Sequence, residues 1–229
     1  MDSIDRLFGK FYPPSPVLNM CASKNFKKLG QYLDKLESPK ILIVGCGKGG
    51  YGIHNLDIYN RGESVNLDIK PFPLIDVIGD AQKLPFRNTT FDAVIIQSVM
   101  QFIKEPELVV NEVFRVLKNK GYVYAEIPFL QGFHGGDYQR YTLLGINNLF
   151  QHFSIIDSGI CAGPSSALNW ILREYFAILF CFNSNRLYRA LRFGVGWMTF
   201  WLKYLDILFA KCKNAHVIAS GVFLMGKKD

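Results

Sequence analysis

The sequence predicts an α/β fold built on a doubly wound, mostly parallel sheet. Short apolar stretches rich in β-branched residues alternate with segments whose apolar residues recur every three or four positions. Strands and helices that alternate at this spacing form a parallel sheet with helices packed on its faces. Glycine or aspartate follows several of these stretches, and ligands of such sheets bind at the carboxyl ends of the strands. We therefore expect a binding site at that edge.

The predicted strands are bounded by turn residues or by a change of hydrophobic period. In chain order they are 41–44, 64–67, 74–78, 91–96, 122–127, 153–156 and, near the C-terminus, 216–225. Helices are predicted over 25–36, 107–117 and about 143–150. The basic, glycine-terminated run 118–121 predicts the end of the second helix.

The chain has 229 residues, enough for one α/β domain with a large insertion. The expected organisation is an N-terminal arm and helix over 1–38, followed by one domain over 39–229 that includes a helical insertion over 165–213. Hydrophobic residues make up 49% and charged residues 20%, which excludes a disordered chain. The formal net charge is +7, and most of the excess lies between residues 170 and 213 among many aromatic residues.

The cysteines and histidines argue against a disulfide framework and against a metal site. Five cysteines form no C-x-x-C pair, and four histidines show no ligand spacing, so a reducing cytoplasm is expected. The N-terminus has no apolar segment typical of a secretion signal. The longest uncharged apolar stretches, 175–185 and 193–202, are shorter than the roughly 20 residues of a membrane-spanning helix.

Two strand ends carry the residue types of a nucleotide site. Gly45-Cys46-Gly47-Lys48-Gly49 follows the first strand, where glycine allows a tight turn and a close approach of backbone N–H groups to a ligand. Asp68-Ile69 ends the second strand, and a carboxylate there can accept both ribose hydroxyls of an adenosine. Nicotinamide and flavin sites share this glycine pattern, so it does not choose the cofactor.

Further motifs distinguish between the cofactors that share this glycine pattern. Gly79-Asp80-Ala81-Gln82-Lys83-Leu84-Pro85-Phe86 precedes Phe91-Asp92-Ala93-Val94, and Glu112-Val113-Phe114-Arg115-Val116-Leu117-Lys118 is followed by Gly121. In these motifs the sequence resembles the class I methyltransferases that use S-adenosyl-L-methionine (AdoMet), in particular the type 11 group. The resemblance covers about residues 40–128.

The resemblance implies a Rossmann-like sheet of about seven strands, with the closing strand antiparallel and the insertion before it. It also implies AdoMet as the cofactor. The backbone of Gly45, Cys46, Gly47 and Gly49 would hold the methionine portion of AdoMet. By the same resemblance the adenosine side would contact Asp68 and Ile69 at the ribose and Asp80 and Ala81 at the adenine, with Gln97 beneath the sulfonium.

Two positions depart from the family pattern. Ile43 stands where the family usually has an acidic residue that assists the ligand's amino group. Gln101-Phe102 stands where the family often has Glu-His facing the substrate. These departures keep open a non-catalytic AdoMet-binding partner subunit as an alternative to an enzyme.

The loop after the fifth strand, 129–142, concentrates polar and aromatic residues at the expected active-site edge. Methyl transfer needs an aligned acceptor and, for a hydroxyl acceptor, a base. The candidates are His134 as the base, Asp137 as its orienting partner or substitute, and Tyr138, Arg140 and Tyr141 as substrate-binding residues. Bracing of the loop is an equal alternative for Asp137 and Arg140.

This loop also resembles an H-x-x-D-Y-x-R-Y-T element of type 11 methyltransferases associated with bacterial cell-surface glycan gene clusters. The resemblance implies O-methylation of a saccharide or a lipid-linked glycan precursor. A methyltransferase of a hydrophobic small molecule, such as a quinone precursor, is the alternative. No Tyr-x-x-x-Lys pair of nicotinamide-dependent oxidoreductases and no N-P-P-Tyr motif of nucleic-acid methylation is present at the expected places, so a nucleic-acid partner is not expected.

The insertion over 165–213 admits two interpretations that are compatible with each other. It can be a helical lid whose aromatic residues form its core. It can also contact an anionic membrane, because tryptophans alternate with basic residues there, namely Trp170, Trp197 and Trp201 with Arg186, Arg189, Arg192 and Lys203. A cytoplasmic protein that is peripheral at the inner face of the membrane is then expected.

Overall fold

A computed structural model of the protein describes residues 11–47 and 62–229. Its seven strands are β1 (Lys40–Val44), β2 (Glu63–Asp68), β3 (Val77–Ile78), β4 (Phe91–Gln97), β5 (Leu117–Pro128), β6 (Ser154–Ala162) and β7 (Gly221–Lys227). The α-helices are α1 (Ala22–Leu33), α2 (Pro106–Val116), α3 (Leu143–Leu149), α4 (Pro164–Phe180), α5 (Asn185–Thr199) and α6 (Asp206–Phe209). Short 3-10 turns lie at Met100–Phe102, Phe200–Leu205 and Ala215–Ile218.

The seven strands form one sheet in the order β3-β2-β1-β4-β5-β7-β6. The pairs from β3 to β5 are parallel, and β7 pairs with β5 in antiparallel register from Tyr122↔Lys227 to Pro128↔Gly221. The helices α4, α5 and α6 separate β6 from β7. The predicted fold class is therefore confirmed, including the antiparallel closing strand and the helical insertion before it.

The described residues divide into two compact units. The sheet unit comprises 20–129 (without 48–61), 133–161 and 221–229, and the helical unit comprises 11–19, 130–132 and 162–220. The sheet unit contains every strand except the last residue of β6, together with α1, α2 and α3. The helical unit contains α4, α5 and α6.

The core of the sheet unit lies between the central strands and α2. Alternate residues of β4 and β5, including Val94, Ile96 and Val123, contact a fully buried valine stripe on α2 that includes Val109 and Val113. Burial of each such side chain contributes about 1.5–3 kcal/mol relative to exposure. α1 supplies its own buried stripe, where the Phe26 ring meets Tyr124 edge to face at 5.1 Å.

α2 ends at Val116, one residue before the predicted end at 117, so the helix stops just before 118–121 as expected. The predicted start of β5 at residue 122 is wrong, because β5 begins at Leu117. The helix needs no glycine at its end, since the Lys228 ammonium donates to the carbonyl oxygens of Phe114 (2.7 Å) and Leu117 (2.8 Å). A distant lysine therefore satisfies helix-terminal acceptors that short-range patterns leave open.

Other strand boundaries also differ from the predictions. β3 is only Val77–Ile78, whereas β6 extends to Ala162 and β7 begins at Gly221 rather than 216. The 3-10 turn at Ala215–Ile218 occupies the predicted start of the last strand. Apolar runs of this length do not distinguish a strand from a helical turn, so the period alone misplaces such boundaries.

In the helical unit the N-terminus of α4 is held by a buried carboxylate from α6. Asp206 is fully buried and accepts backbone N–H groups from Gly163 (3.2 Å), Ser165 (2.7 Å) and Ser166 (2.9 Å). A carboxylate at this end satisfies donors that have no partner inside the helix and also interacts favourably with the helix dipole.

We expect Asp206→Ala to lower the free energy of unfolding of the helical unit by about 3 kcal/mol or more, because three buried donors lose a charged acceptor. Chemical unfolding followed by tryptophan fluorescence measures this, since all three tryptophans lie between residues 170 and 201. Glu37→Ala, at an exposed position, is the matched control and should change stability by less than about 0.5 kcal/mol. A loss below about 1 kcal/mol in Asp206→Ala would contradict this role.

Candidate active site

The loop after β1 is tied to the end of β2 by backbone hydrogen bonds. Gly45 N–H donates to the Leu67 carbonyl at 2.7 Å. Gly45 and Gly47 both have positive φ, +71° and +62°, which favours glycine. A Cβ at Gly45 would also lie 2.1 Å from a methyl carbon of Val99, so any larger residue would force the loop to move. These two glycines are required by the backbone itself.

Asp68 joins this loop to the end of β2 through its side chain. One carboxylate oxygen accepts the Gly47 N–H at 2.9 Å, and the other accepts the Lys70 N–H at 3.0 Å. The side chain is nearly buried but borders a cavity. Each carboxylate oxygen can accept more than one hydrogen bond, so Asp68 can brace the loop and still accept ribose hydroxyls.

A cavity of about 500 Å³ lies at the carboxyl ends of the parallel strands. Seven residues predicted to form the site line it: Gly45, Gly47, Asp68, Ile69, Asp80, Ala81 and His134. Its size falls within the range of small-molecule sites in proteins. The predicted site residue Gly49 lies outside the described residues.

Two predicted cofactor residues lie away from this cavity wall. Cys46 is buried and does not line it. Gln97 is also buried and donates from its amide to a Glu126 carboxylate oxygen at 2.9 Å. The structure therefore joins Gln97 to a neighbouring strand rather than to the cavity surface.

The segment that carries Asp80 and Ala81 is fixed by Arg115 of α2. The guanidinium donates to the carbonyl oxygens of Leu84 (3.0 Å) and Phe86 (2.8 Å), and Glu112 accepts the Leu84 N–H at 2.7 Å. Arg115 also donates to Glu112 at 2.7 Å and lowers the pKa of that carboxyl group below its usual value. Two separate sequence motifs thus form one hydrogen-bonded unit that positions the cavity wall.

The loop after β5 brings most of its candidate residues together. Asp137 accepts the backbone N–H of His134 at 3.0 Å and a short hydrogen bond from Arg140. The His134 Nδ1 atom lies 3.4 Å from an Arg140 nitrogen and 3.7 Å from the Asp137 carboxylate. His134 borders the cavity, whereas Asp137 and Arg140 do not. Loop bracing by Asp137 and Arg140 is therefore directly visible.

The two tyrosines of the loop have different surroundings. Tyr138 is 66% exposed, and its backbone N–H donates to the Gln101 carbonyl at 2.7 Å. Tyr141 packs against the core of the sheet unit. Burial raises the pKa of Tyr141 to about 12, with a smaller contribution from Glu107. Neither tyrosine lines the cavity.

Sequence reasoning missed a buried polar cluster on β4 and β5. The Glu126 carboxylate accepts hydrogen bonds from Gln97 and, at short distance, from the Tyr124 hydroxyl, which in turn accepts from Asn25 of α1 at 3.2 Å. Burial, followed by the Glu126 charge, raises the pKa of Tyr124 well above its usual value. A glutamate within the apolar run 122–127 was the available signal.

Several lining residues also escaped prediction because they are apolar or lie beyond the motifs. They are Phe72, Val99, Phe102 and Ile103, with Ser98 beside them. Phe102 occupies the position at which the family often has histidine, so the cavity is apolar where a polar group is common. Among the residues that the structure describes, no cluster of three His, Cys, Asp or Glu side chains is arranged to hold a metal ion.

Comparisons with known proteins show what the chain is similar to. Residues 42–125 match the family model described as "Methyltransferase domain" (Methyltransf_11). A curated relative, the mitochondrial arginine-hydroxylase NDUFAF5 of Mus musculus, is 27% identical over 109 residues, which are 43% of this chain and 30% of the relative. The chain thus matches less than a third of that relative's length.

Solved structures share the fold at low sequence identity. A candidate sarcosine dimethylglycine methyltransferase of Galdieria sulphuraria has a TM-score of 0.61 and 14% identity, covering 100% of this chain and 99% of its own. The 1,6-didemethyltoxoflavin-N1-methyltransferase of Burkholderia thailandensis, solved with S-adenosylhomocysteine, has a TM-score of 0.52 and 12% identity, covering 89% and 77%.

Residues 42–125 thus match a methyltransferase domain, and the fold is shared with solved methyltransferase structures. The match to a methyltransferase domain indicates S-adenosyl-L-methionine as the cofactor, in agreement with the motifs. The curated relative is named for hydroxylation of arginine and shares only part of its length with this chain. The reaction and acceptor of the whole chain are therefore proposals.

We expect Asp68→Ala to weaken AdoMet binding by about 2–3 kcal/mol, or roughly 30- to 150-fold, because charge-assisted hydrogen bonds to the ribose and the brace on Gly47 are lost. Isothermal titration calorimetry measures the affinity. Asp157→Ala, which removes a carboxylate from β6 outside the cavity lining, is the control and should bind AdoMet normally. Unchanged affinity in Asp68→Ala would rule out the ribose assignment.

Proposed function

We propose that the protein is an AdoMet-dependent methyltransferase that methylates an oxygen of a saccharide or a lipid-linked glycan precursor. The observation that carries the proposal is the position of His134, which borders the same cavity as Asp68 in a methyltransferase domain. A base beside the cofactor site is what a hydroxyl acceptor requires.

The cofactor part of the proposal assigns a role to each wall of the cavity. The backbone of Gly45 and Gly47 binds the methionine portion, and Asp68 accepts the ribose hydroxyls. Ile69 lies beside Asp68 at the ribose, and Ala81 supplies apolar contact for the adenine, with Asp80 as the acceptor for its amine. AdoMet supplies a methyl group on a positively charged sulfur, and the protein supplies alignment.

His134 takes the proton of the acceptor hydroxyl at Nε2 in this proposal. Its Nδ1 then carries the other hydrogen and turns toward the Asp137 carboxylate, now 3.7 Å away. Such contacts are often long without substrate and shorten when it binds. Arg140 holds the Asp137 carboxylate in place by a hydrogen bond, and that carboxylate stabilises the protonated imidazole.

The same loop can also recognise the acceptor. A guanidinium has five donors in a planar fork, so Arg140 can bind a phosphate or carboxylate of the acceptor besides holding Asp137. Tyr138 is exposed and can contact a sugar ring, and Tyr141 supports the loop from the core side. A lipid-linked glycan carries hydroxyls and phosphate together, which suits this set of groups.

The place of action belongs to the same proposal. The sequence suits a cytoplasmic protein that meets its acceptor at the inner face of the membrane. No helix within the described ranges is long and apolar enough to cross a bilayer. Contact through 165–213 would therefore be peripheral.

The acceptor class is tested by methyl transfer from radiolabelled AdoMet to membrane extracts of cells that lack this protein, in which unmethylated acceptor accumulates. We expect label in the lipid-linked saccharide fraction, released with the sugar on mild acid hydrolysis. Label in the quinone fraction would replace the glycan proposal with the hydrophobic small molecule. No label in any fraction, with AdoMet bound, would indicate the non-catalytic partner subunit.

His134→Ala should lower turnover of the labelled acceptor about 100-fold or more, because the hydroxyl loses its base. Its affinity for AdoMet should stay close to that of the unchanged protein. His152→Ala is the matched control, since His152 is exposed and lies outside the cavity lining. Equal turnover in the two variants would remove His134 from the mechanism.

A further inference from the structure

Helix α4 exposes its apolar residues and buries polar ones. The exposed side chains recur at three- and four-residue spacings and are Leu168, Ile171, Tyr175, Ile178 and Leu179. The opposite, buried face includes Ser166, Asn169 and Arg173. An amphipathic helix in water has the reverse arrangement. The lid interpretation expected the aromatic residues of the insertion to form its core, but on α4 Tyr175 and the apolar residues beside it face outward.

The buried polar groups of α4 have specific partners inside the helical unit. Asn169 donates to the Pro16 carbonyl at 3.0 Å, and the Ser166 hydroxyl accepts the Leu18 N–H at 3.1 Å. Arg173 lies over the Tyr12 ring, 5.6 Å from its centroid, and burial lowers the pKa of its guanidinium. The N-terminal segment 11–19 thus binds the polar face of α4, so the apolar face of α4 is exposed to solvent.

The segment 197–208, which comprises the end of α5 and the residues after it, shows the same inversion. Its exposed side chains are Trp197, Met198, Trp201, Tyr204, Ile207 and Leu208. Its buried side chains include Lys203, whose ammonium donates to the Ser15 carbonyl at 2.7 Å. They also include Asp206, whose carboxylate accepts from the N-terminus of α4. The residues of this segment pack against α4, so the two inverted stripes belong to adjoining elements.

The charges left exposed on the helical unit are positive. Its two acidic residues in the described ranges are both engaged internally: Asp206 holds the N-terminus of α4, and Glu174 accepts from Arg192 at 2.7 Å and from Tyr188. Arg186, Lys211 and Lys213 are exposed at the ends of the apolar elements. The unit therefore presents apolar and aromatic groups with cations and no exposed carboxylate among its described residues.

We propose that this face docks on an anionic lipid bilayer, with the exposed stripe of α4 and the exposed residues of 197–208 as the docking surface. Apolar side chains gain about 25 cal/mol for each Å² withdrawn from water. Tryptophan and tyrosine favour the bilayer interface, and exposed lysine and arginine are attracted to anionic headgroups. In this proposal the helices lie in the interface plane, as amphipathic helices at a bilayer surface do.

Charge complementarity favours a lipid bilayer as the partner. The helical unit exposes cations and apolar groups together and no carboxylate among its described residues, which matches an anionic lipid surface. The docking surface deepens the proposed function, since a lipid-linked acceptor would be encountered there. That link rests on the proposed function, whereas vesicle binding does not. The two can therefore fail separately.

The test uses the full chain and vesicles of phosphatidylcholine alone or with about one third phosphatidylglycerol. Trp197 and Trp201 are on the docking surface and Trp170 is buried, so intrinsic fluorescence reports on this unit alone. We expect a blue shift and vesicle co-flotation with the anionic vesicles, weakened by salt.

Two variants probe the surface. The double variant Ile178→Glu/Leu208→Glu should weaken binding by roughly tenfold for each apolar side chain withdrawn from lipid. Lys211→Ala/Lys213→Ala should weaken it about 30-fold, and only for anionic vesicles. Leu144→Glu is the matched control, because Leu144 is 81% exposed but lies on α3 in the sheet unit, and it should bind as the unchanged protein does.

AdoMet titration of each variant separates the two proposals and shows that the variants are folded. Vesicle binding without AdoMet binding supports the docking surface and removes the proposed function; the reverse result removes the docking surface. Equal vesicle binding by Ile178→Glu/Leu208→Glu and Leu144→Glu would overturn the proposal. A second result would also overturn it: the protein forms a dimer without lipid affinity, and Ile178→Glu/Leu208→Glu converts that dimer to monomer. The docking surface would then bind a second copy of the chain.

Discussion

The candidate site depends on one interaction, the hydrogen bond from Gly47 N–H to the Asp68 carboxylate. It joins the ends of two adjacent parallel strands, whose backbones also meet where Gly45 donates to Leu67. The positive φ of both glycines turns the loop over the strand ends, and the small Gly45 avoids Val99. Because Asp68 belongs to the loop and to the cavity wall together, a change there alters cofactor contacts and loop geometry at once.

Much of the sheet unit follows from local sequence. Apolar runs and helical spacing place the core strands, and the glycine and aspartate motifs fall on the cavity wall as expected. The end of α2 was predicted to within one residue, but the lysine that satisfies its carbonyls lies more than 100 residues away and could not be predicted from local sequence. Gln97 was assigned to the cofactor by resemblance, but its buried partner Glu126 becomes adjacent only when β4 and β5 pair. The spacing of residues along the chain does not predict which side chains become partners on neighbouring strands.

In the helical unit the sequence predicts less, because the direction in which each helix face points depends on distant partners. Periodicity identifies an apolar stripe on α4 but does not say which side of a helix faces solvent. Asp206, Lys203 and the N-terminal carbonyls of Pro16 and Ser15 decide this, because they satisfy polar groups that would otherwise be costly to bury. The same residues thereby leave a large apolar face outside. This outward apolar face is the observation on which the proposed docking surface rests.

The central claim is that the cavity around Asp68 binds AdoMet. Calorimetric titration of the purified chain with AdoMet, S-adenosylhomocysteine and NAD in parallel tests it most directly. We expect the first two to bind with one-to-one stoichiometry and NAD not to bind. Binding of NAD alone, or of none of the three, would contradict it.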